Sequence, residues 1–368
     1  MRSKSPSRIM LSGLSLITAL SCWQQTALAR RETFILPLEP RIVIKSHEAT
    51  APCVVPPPVL TLALESKYGK DGPERDDVDP EAEAAFNAGL KPVLEFQRPI
   101  VTMANRFTEK GNQNDAACVI TWLAAWAKAD ALSQMGNHTA EYKRSTTLAG
   151  LAMAYMQVRR AMQDSSDIPI IDRWLAMTAT RIRDHFDGLK PTRRSFANNH
   201  RYWAAFAVGA TAAITGDKPL FDWAMDSLKR AACAATPEGA LPLELARGKK
   251  AREYHFHALN ALVPLAELAE ANGVSAYTLC NKGLQRIVAY AVDAIDNPAT
   301  MAKDAHAEQE AFDDKSLLPP TSRLPFLEIY LKRFPGQLTL PKNIMKDAPF
   351  RLSDLGGRVH LLFRAKLR

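Results

Sequence analysis

Nine helix-length stretches follow one another in this chain, and that succession limits the fold more than any other feature. Helical periodicity covers residues 81–108, 114–134, 139–163, 168–187, 199–215, 218–235, 250–271, 274–294 and 322–334. The breaks are short and rich in Gly, Pro, Asn and Asp: "EKGNQND", "QMGNHT", "QDSSDIP", "FDGLKPTRR", "TGDKP", "TPEGALP", "ANGVS" and "DNPAT". Asp79 followed by Pro80 is a strong start signal, a cap and then a first-turn proline. Helices of about 15–25 residues with short connections lie antiparallel to their neighbours. The pattern predicts an all-α fold of stacked helical hairpins, closed or half-closed into a toroid. No sharp repeat is visible, which excludes a tetratricopeptide-like array.

The ends read differently. "MRSKSPSR" is a basic start, an apolar run follows, and "TALA" ends at Ala29 in the small residues of a secretory cleavage site. The expectation is a signal peptide over residues 1–29, a periplasmic or secreted product, and no membrane span once it is removed. Residues 30–78 are Pro-rich and extended, 79–335 form the helical body, and 336–368 make an irregular tail, all in one domain. Residues 65–79 ("ESKYGKDGPERDDVD") read as a lid, and 303–321 as a loop or frayed helix.

The chain carries 47 Lys and Arg against 39 Asp and Glu, and cleavage would leave 44 against 39. This mild excess suits a polyanionic partner. Without a Lys/Arg tract or an RNA-binding signature, and with export expected, nucleic acid is not a partner. Of five cysteines, Cys22 falls in the leader. Cys53 lies in a Pro-rich loop that a staple would restrain, whereas Cys233 and Cys280 fall in helical patterns and read as buried small hydrophobes. No C-x-x-C, HExxH, P-loop, GxSxG or GxGxxG in context occurs, so neither metal nor cofactor is expected.

Two clusters carry chemistry. "NNHRYW" (198–203) opens an apolar helix with more polar groups than a cap needs. With Asn198 as the cap, Asn199, His200 and Trp203 face one pocket at a helix end that favours anions. "LPLELARGKKAREYHFH" (241–257) surrounds Tyr254 with Arg247, Lys249, Lys250 and Arg252. Adjacent cations favour a phenolate. Taken singly, each cluster is better explained as a cap, a core histidine or a solvated basic face. Trp122 and Trp126 share a helix face where indoles stack on sugars or, more commonly, pack in a core. Lys67 and Tyr68 lie on the lid. Among the carboxylates Asp164, Asp167, Asp222, Glu244 and Glu328, none stands out as half of a hydrolase pair.

Together, "NNHRYWAAFAV" and "GALPLELARGKKAREYHFHAL" resemble the alginate lyases of polysaccharide lyase family 5. "SKYGKDG", "EKGNQNDAACVITWLAAWA", "GNHT", "LAGLAMAYMQVR" and "KPLFDWAM" extend the likeness over about residues 52–335. The resemblance implies an incomplete (α/α) toroid and a monomer that needs no cofactor. It implies a lyase acting on an anionic polysaccharide, alginate and its polymannuronate blocks. By it, Asn199, His200, Arg247 and Tyr254 are catalytic, and Lys67, Tyr68, Trp122, Trp126, Trp203 and His255 bind substrate. It also pairs Cys53 with Cys118. The chain departs from the family's pattern at Arg201, Leu243, His257 and Phe326, which touches the sugar lining more than the reacting groups. Another polyuronate (polyglucuronate or a hyaluronan-like polymer) and a glycoside hydrolase on the same toroid are the alternatives.

The expected reaction is β-elimination. The C5 proton of a uronate lies α to a carboxylate, so its removal needs that carboxylate neutralised, by Asn199 and His200. Arg247 would bias Tyr254 towards phenolate. Tyr254, or His200 for the opposite C5 configuration, would take the proton.

Overall fold

The computed structural model describes Met1 and residues 34–36, 52–68, 77–311, 320–340, 344–346 and 348–363. The chain divides into two compact units, Met1–Arg30 and Arg31–Arg368. The expected signal peptide and most of residues 30–51 lie outside the described residues, as does the tip of the expected lid, 69–76.

The second unit is helical. In chain order its elements are β1 (Thr61–Leu62), α1 (Pro80–Lys110), α2 (Gln113–Lys128), β2 (Gln134–Met135), α3 (His138–Arg159), α4 (Ile168–Asp187), α5 (Asn199–Thr215), α6 (Lys218–Ala234), α7 (Pro242–Leu245), α8 (Ala251–Ala271), α9 (Leu279–Asp296), α10 (Pro298–Ala305), α11 (Pro320–Arg323), α12 (Pro325–Arg333), β3 (Arg351–Leu352), β4 (Gly357–Arg358) and α13 (Val359–Leu362). The starts follow the caps read from sequence. The Asp79 side chain accepts from Ala82 N with Pro80 at the first helical position, and Asn112, Asn137, Asn198 and Asp217 cap α2, α3, α5 and α6.

Two rings result. α1, α3, α5, α8 and α12 are successive neighbours, and α2, α4, α6 and α9 form the layer outside them. The inner helices are apolar almost all round: every residue of α5 except His200 is buried. The outer helices α4 and α6 bury one face. Close approach needs small residues. A Cβ at Gly209 of α5 would stand 3.0 Å from Leu265 Cδ1 and 3.1 Å from Ala224 Cβ, so α5 meets α8 and α6 at near-contact distance. The gap between α12 and α1 is bridged by the C-terminal segment, since α13 packs on both. This is the all-α, incomplete toroid of antiparallel hairpins that the succession of helices implies.

Three segments depart from expectation. Helix α2 stops at Lys128 rather than 134, because Asp130 and Leu132 take left-handed backbone (φ 50° and 59°) and the chain turns into β2. The first turn expected of the 274–294 helix is a 3₁₀ turn, and α9 starts at Leu279. The tail expected to be irregular carries the short β3, β4 and α13 and joins the core: Phe350, Leu355, Val359 and Leu362 are buried, and Asn105 Nδ2 donates to the Gly356 carbonyl at 2.8 Å.

The N-terminal strap 52–68 is fastened at each stage. A Cys53–Cys118 disulfide ties it to α2, and Trp126 Nε1 donates to the Pro56 carbonyl at 3.1 Å. β1 runs parallel to β2, and Asn137 Nδ2 donates to the Leu64 carbonyl at 3.0 Å. The strap therefore ends beside the start of α3 and delivers Lys67 and Tyr68 towards α8. Cys233 and Cys280 also form a disulfide, between α6 and α9. That corrects their reading as buried small hydrophobes: Cys233 is exposed and Cys280 half-buried.

Candidate active site

Asn198 caps α5, its side chain accepting from His200 N at 3.1 Å. Capping one N–H leaves another orphan donor at the helix start. Glu244 of α7 meets it. Its carboxylate accepts from Asn199 N at 2.7 Å and from Asn199 Nδ2 at 2.8 Å, so backbone and side chain of Asn199 are held together. Both residues are 0% exposed. Burial pushes the Glu244 carboxyl up to about 7, against the two Asn199 bonds and Arg247, which pull it down. Nδ2 carries a second N–H, and Asn199 Oδ1 is buried without a partner among the described residues.

His200 follows, and it is the one residue of α5 that keeps partial exposure. Its ring stacks on Tyr142 of α3 with centroids 4.1 Å apart, and its Nδ1 lies 3.1 Å from His138 Nε2. The Tyr142 hydroxyl bonds to His257 Nε2 of α8. His200 is held well below the usual imidazole range by burial, with His138, His257, Arg247 and Lys143 acting the same way. His257 is pushed down to about 3 by burial, then by Lys143, Arg247 and Lys67. Both are neutral at pH 7.

The opposite side is phenolic. The Tyr254 and Tyr68 hydroxyls share a hydrogen bond at 2.6 Å. The Arg247 guanidinium carbon lies 3.5 Å from the Tyr254 ring centroid and 5.2 Å from that of Tyr68. Burial and the neighbouring Tyr68 raise Tyr254 well above the ordinary phenol value, while Arg247 pulls it down. The resting group is therefore a phenol, and Arg247 alone does not make it a phenolate. The lid base is anchored: Tyr68 bridges to Val78, Lys67 Nζ reaches Glu83 at 3.3 Å, and Lys249 pairs with Asp77.

Asn199, His200, Arg247, Tyr254, Lys67 and Tyr68 thus share one neighbourhood. The other expected substrate residues do not. Trp126 is 0% exposed, with its ring stacked on Phe96 at 3.5 Å, so it packs the strap against α1. Trp122 is half-buried against the same Phe96. Trp203 is 0% exposed and donates to the His257 carbonyl at 3.1 Å; it supports the site from behind and offers no sugar platform. His255 is 0% exposed and uses both ring nitrogens, Nδ1 donating to Ala251 O at 2.8 Å and Nε2 accepting from Leu241 N at 2.9 Å. It braces α7 against α8 and cannot bind substrate in this conformation. Arg201 also turns away. Its guanidinium packs on Phe196 and Trp223, with Nε donating to Ser227 Oγ at 3.1 Å.

Sequence reasoning missed Glu244 as a partner of Asn199, and missed Tyr142, Lys143 and His185 altogether. Glu244 was one of five unremarkable carboxylates, and its contact spans 45 residues. A buried glutamate two residues after a helix-starting proline gives no local signal.

The family profile described as alginate lyase matches residues 63–301. The alginate lyase of Pseudomonas aeruginosa is 30% identical over 329 residues, covering 87% of each chain. That of Azotobacter vinelandii is 32% identical over 327 residues, covering 87% of this chain and 86% of the relative. Among solved structures, alginate lyase A1-III from Sphingomonas species A1 superposes with a TM-score of 0.70 at 22% identity, over 87% of this chain and 88% of that one. A substituted form of A1-III complexed with a tetrasaccharide gives 0.72 at 22% identity, over 89% of both chains. The profile covers more than half of the chain and the relatives align along most of it: this chain belongs to the alginate lyase family.

Proposed function

We propose that this polysaccharide lyase cleaves 1,4-linked polyuronate, with polymannuronate as the preferred polymer, and acts in the periplasm or outside the cell. The observation that carries the reading is the meeting of a carboxylate-facing pair, Asn199 and His200, with a phenol under a guanidinium, Tyr254 and Arg247. The alginate lyase relatives and the tetrasaccharide complex of A1-III support the substrate class. Two disulfides and the leader pattern support an oxidising, exported location.

The chemistry follows from the groups present. The uronate carboxylate lies against the second Nδ2–H of Asn199 and the cleft-side nitrogen of His200. Glu244 fixes Asn199 in advance, so no reorganisation is needed as charge builds on the carboxylate. An oriented donor of this kind contributes about 3 kcal/mol to the transition state. Entry of the sugar between Tyr68 and Tyr254 breaks the bond that helps hold Tyr254 protonated, leaving Arg247 to oppose burial. Tyr254 then releases its hydroxyl proton to water, the phenolate takes the C5 proton as the C5–H pair becomes the C4=C5 bond, and the same proton passes from Tyr254 to O4 as it departs with the C4–O4 pair.

The test is absorbance of the unsaturated uronate formed on polymannuronate, polyguluronate, polyglucuronate and hyaluronan. The expected result is fastest growth on polymannuronate. New reducing ends without that chromophore on any of the four would contradict elimination and indicate a hydrolase.

A further inference from the structure

His200 is one end of a row of three imidazoles. Its Nδ1 lies 3.1 Å from His138 Nε2, and His138 Nδ1 lies 2.9 Å from His185 Nε2. His185 Nδ1 stands 3.8 Å from a Glu141 oxygen. Neighbouring rings are nearly parallel, at 15° and 27°. The three histidines come from the first residue of α3, the last turn of α4 and the second residue of α5, so tertiary packing alone aligns them. The row leads outwards, since the His185 side chain is 24% exposed. His200 Nε2 has no hydrogen-bond partner among the described residues and remains for the cleft.

A neutral imidazole has one donor and one acceptor nitrogen, and a bond between two rings needs one of each. Three neutral rings in a row therefore have two uniform arrangements. In the first, every ring is protonated on Nδ1. His200 donates to His138, His138 to His185, His185 points its proton at Glu141, and His200 Nε2 is bare. In the second, every ring is protonated on Nε2, and His200 presents a donor to the cleft. Surrounding charges keep the row neutral. Arg144 and Arg193 face His185, which burial and these two cations hold down to about 4. Lys143, Arg247 and His257 face His200. Glu141, itself bonded to Arg144, favours the first arrangement at the outer end, and a uronate carboxylate against His200 Nε2 favours the second, in which that nitrogen donates.

We propose that His200, His138 and His185 form a proton relay between the cleft and solvent at Glu141, whose direction decides whether His200 accepts or donates a proton. This rests on the reading of His200 as facing the uronate. Where His200 is the base, its bare Nε2 takes the C5 proton. The C5–H electron pair becomes the C4=C5 bond, and the C4–O4 pair leaves with O4, which takes the Tyr254 hydroxyl proton. The His200 Nδ1 proton passes to His138 Nε2, that of His138 Nδ1 passes to His185 Nε2, and that of His185 Nδ1 leaves to Glu141 or water. The row then stands in its second arrangement. Loss of the Nε2 proton of His200 to water in the emptied cleft, with entry of one proton at His185 Nδ1, restores the first. Tyr254 regains its proton from water.

The experiment combines long-range 1H–15N spectra of the histidine rings with kinetics of His138→Gln and His185→Gln. Glutamine keeps a hydrogen bond and cannot pass a proton. In the unsubstituted protein the three rings are expected to share one tautomer, and in His138→Gln the His200 tautomer is expected to change. On polyguluronate, the C5 epimer on which His200 is the base, His138→Gln should lose about 10²-fold in kcat with KM unchanged within about twofold, and added imidazole should restore part of it. His185→Gln, at the half-exposed end, serves if His138→Gln does not fold, with a loss of about tenfold. Unlike tautomers in adjacent rings, or full activity in both variants while His200→Ala is inactive, would overturn the relay and leave the role of His200 standing. An active His200→Ala would overturn the underlying reading instead.

Discussion

Asn199 and His200 stand at the start of α5, their amide and imidazole held in place by Glu244, Tyr142 and His138. Tyr254 stands one turn into α8, held by Arg247 on its ring face and Tyr68 at its hydroxyl. The first wall comes from the helical body. The second takes one of its phenols from the strap, which reaches it beyond β1. Burial acts on both, but with opposite consequences. It keeps the imidazoles unprotonated and the phenols protonated. In the proposed reaction one wall is ready to orient a carboxylate before substrate arrives, whereas the other reaches its working state only when substrate separates the two phenols.

The comparison breaks most readily at Arg247. Arg247→Ala removes the cation that, among the described residues, stacks on Tyr254. The expected loss is about 10²–10³-fold in kcat, with the rising limb of the pH profile moving to higher pH, because the phenol then ionises at higher pH. An unmoved limb would show that the phenolic wall does not depend on Arg247.

Glu244→Ala tests the other wall. It strands two donors of Asn199 in a dry site, and a loss of about 1–3 kcal/mol in denaturant unfolding is expected together with a fall in kcat. Glu244→Gln separates charge from shape. The folded carboxyl titrates near 7, above its ordinary 4.5, so its favourable contribution is complete below about 4.5 and is lost as pH rises through about 7. Unfolding measured at pH 5 and pH 8 should shift the stability difference towards the Gln variant by up to roughly 3 kcal/mol. A pH-independent difference would place Glu244 in a wetter setting than its burial indicates.

Smaller effects sharpen the boundary of each wall. Tyr68→Phe should lower kcat only several-fold, because it removes a brake on Tyr254 as well as a substrate contact. Arg201→Ala should cost about 1–2 kcal/mol of stability through lost packing on Phe196 and Trp223, without changing the ratio of rates on two polyuronates. A changed ratio would return Arg201 to the cleft.

Much of this was legible from the sequence, for local reasons. α4 has the bounds that its periodicity predicts, residues 168–187, and α5 those that its cap and periodicity predict, residues 199–215. Asn198 caps as its position implies, since a cap is a contact between near neighbours. What failed depends on tertiary approach. Whether an indole faces a sugar or a core is decided by its neighbours, and Phe96 claims both Trp122 and Trp126. His255 was grouped with Tyr254, but one residue is about 100° of helix rotation. That turn sends His255 to Leu241 while Tyr254 and His257 share a face. The histidine row was invisible because its links span 62 and 47 residues.

In the proposed reaction elimination runs through the Tyr254 hydroxyl while the carboxylate is held on the other wall. The direct measurement is binding and turnover of an oligomannuronate by Tyr254→Phe, by calorimetry and by absorbance of the unsaturated product. The expected result is a dissociation constant within about threefold of the unsubstituted protein and a kcat lower by about 10³-fold or more. Turnover within tenfold of normal, with binding intact, would contradict it.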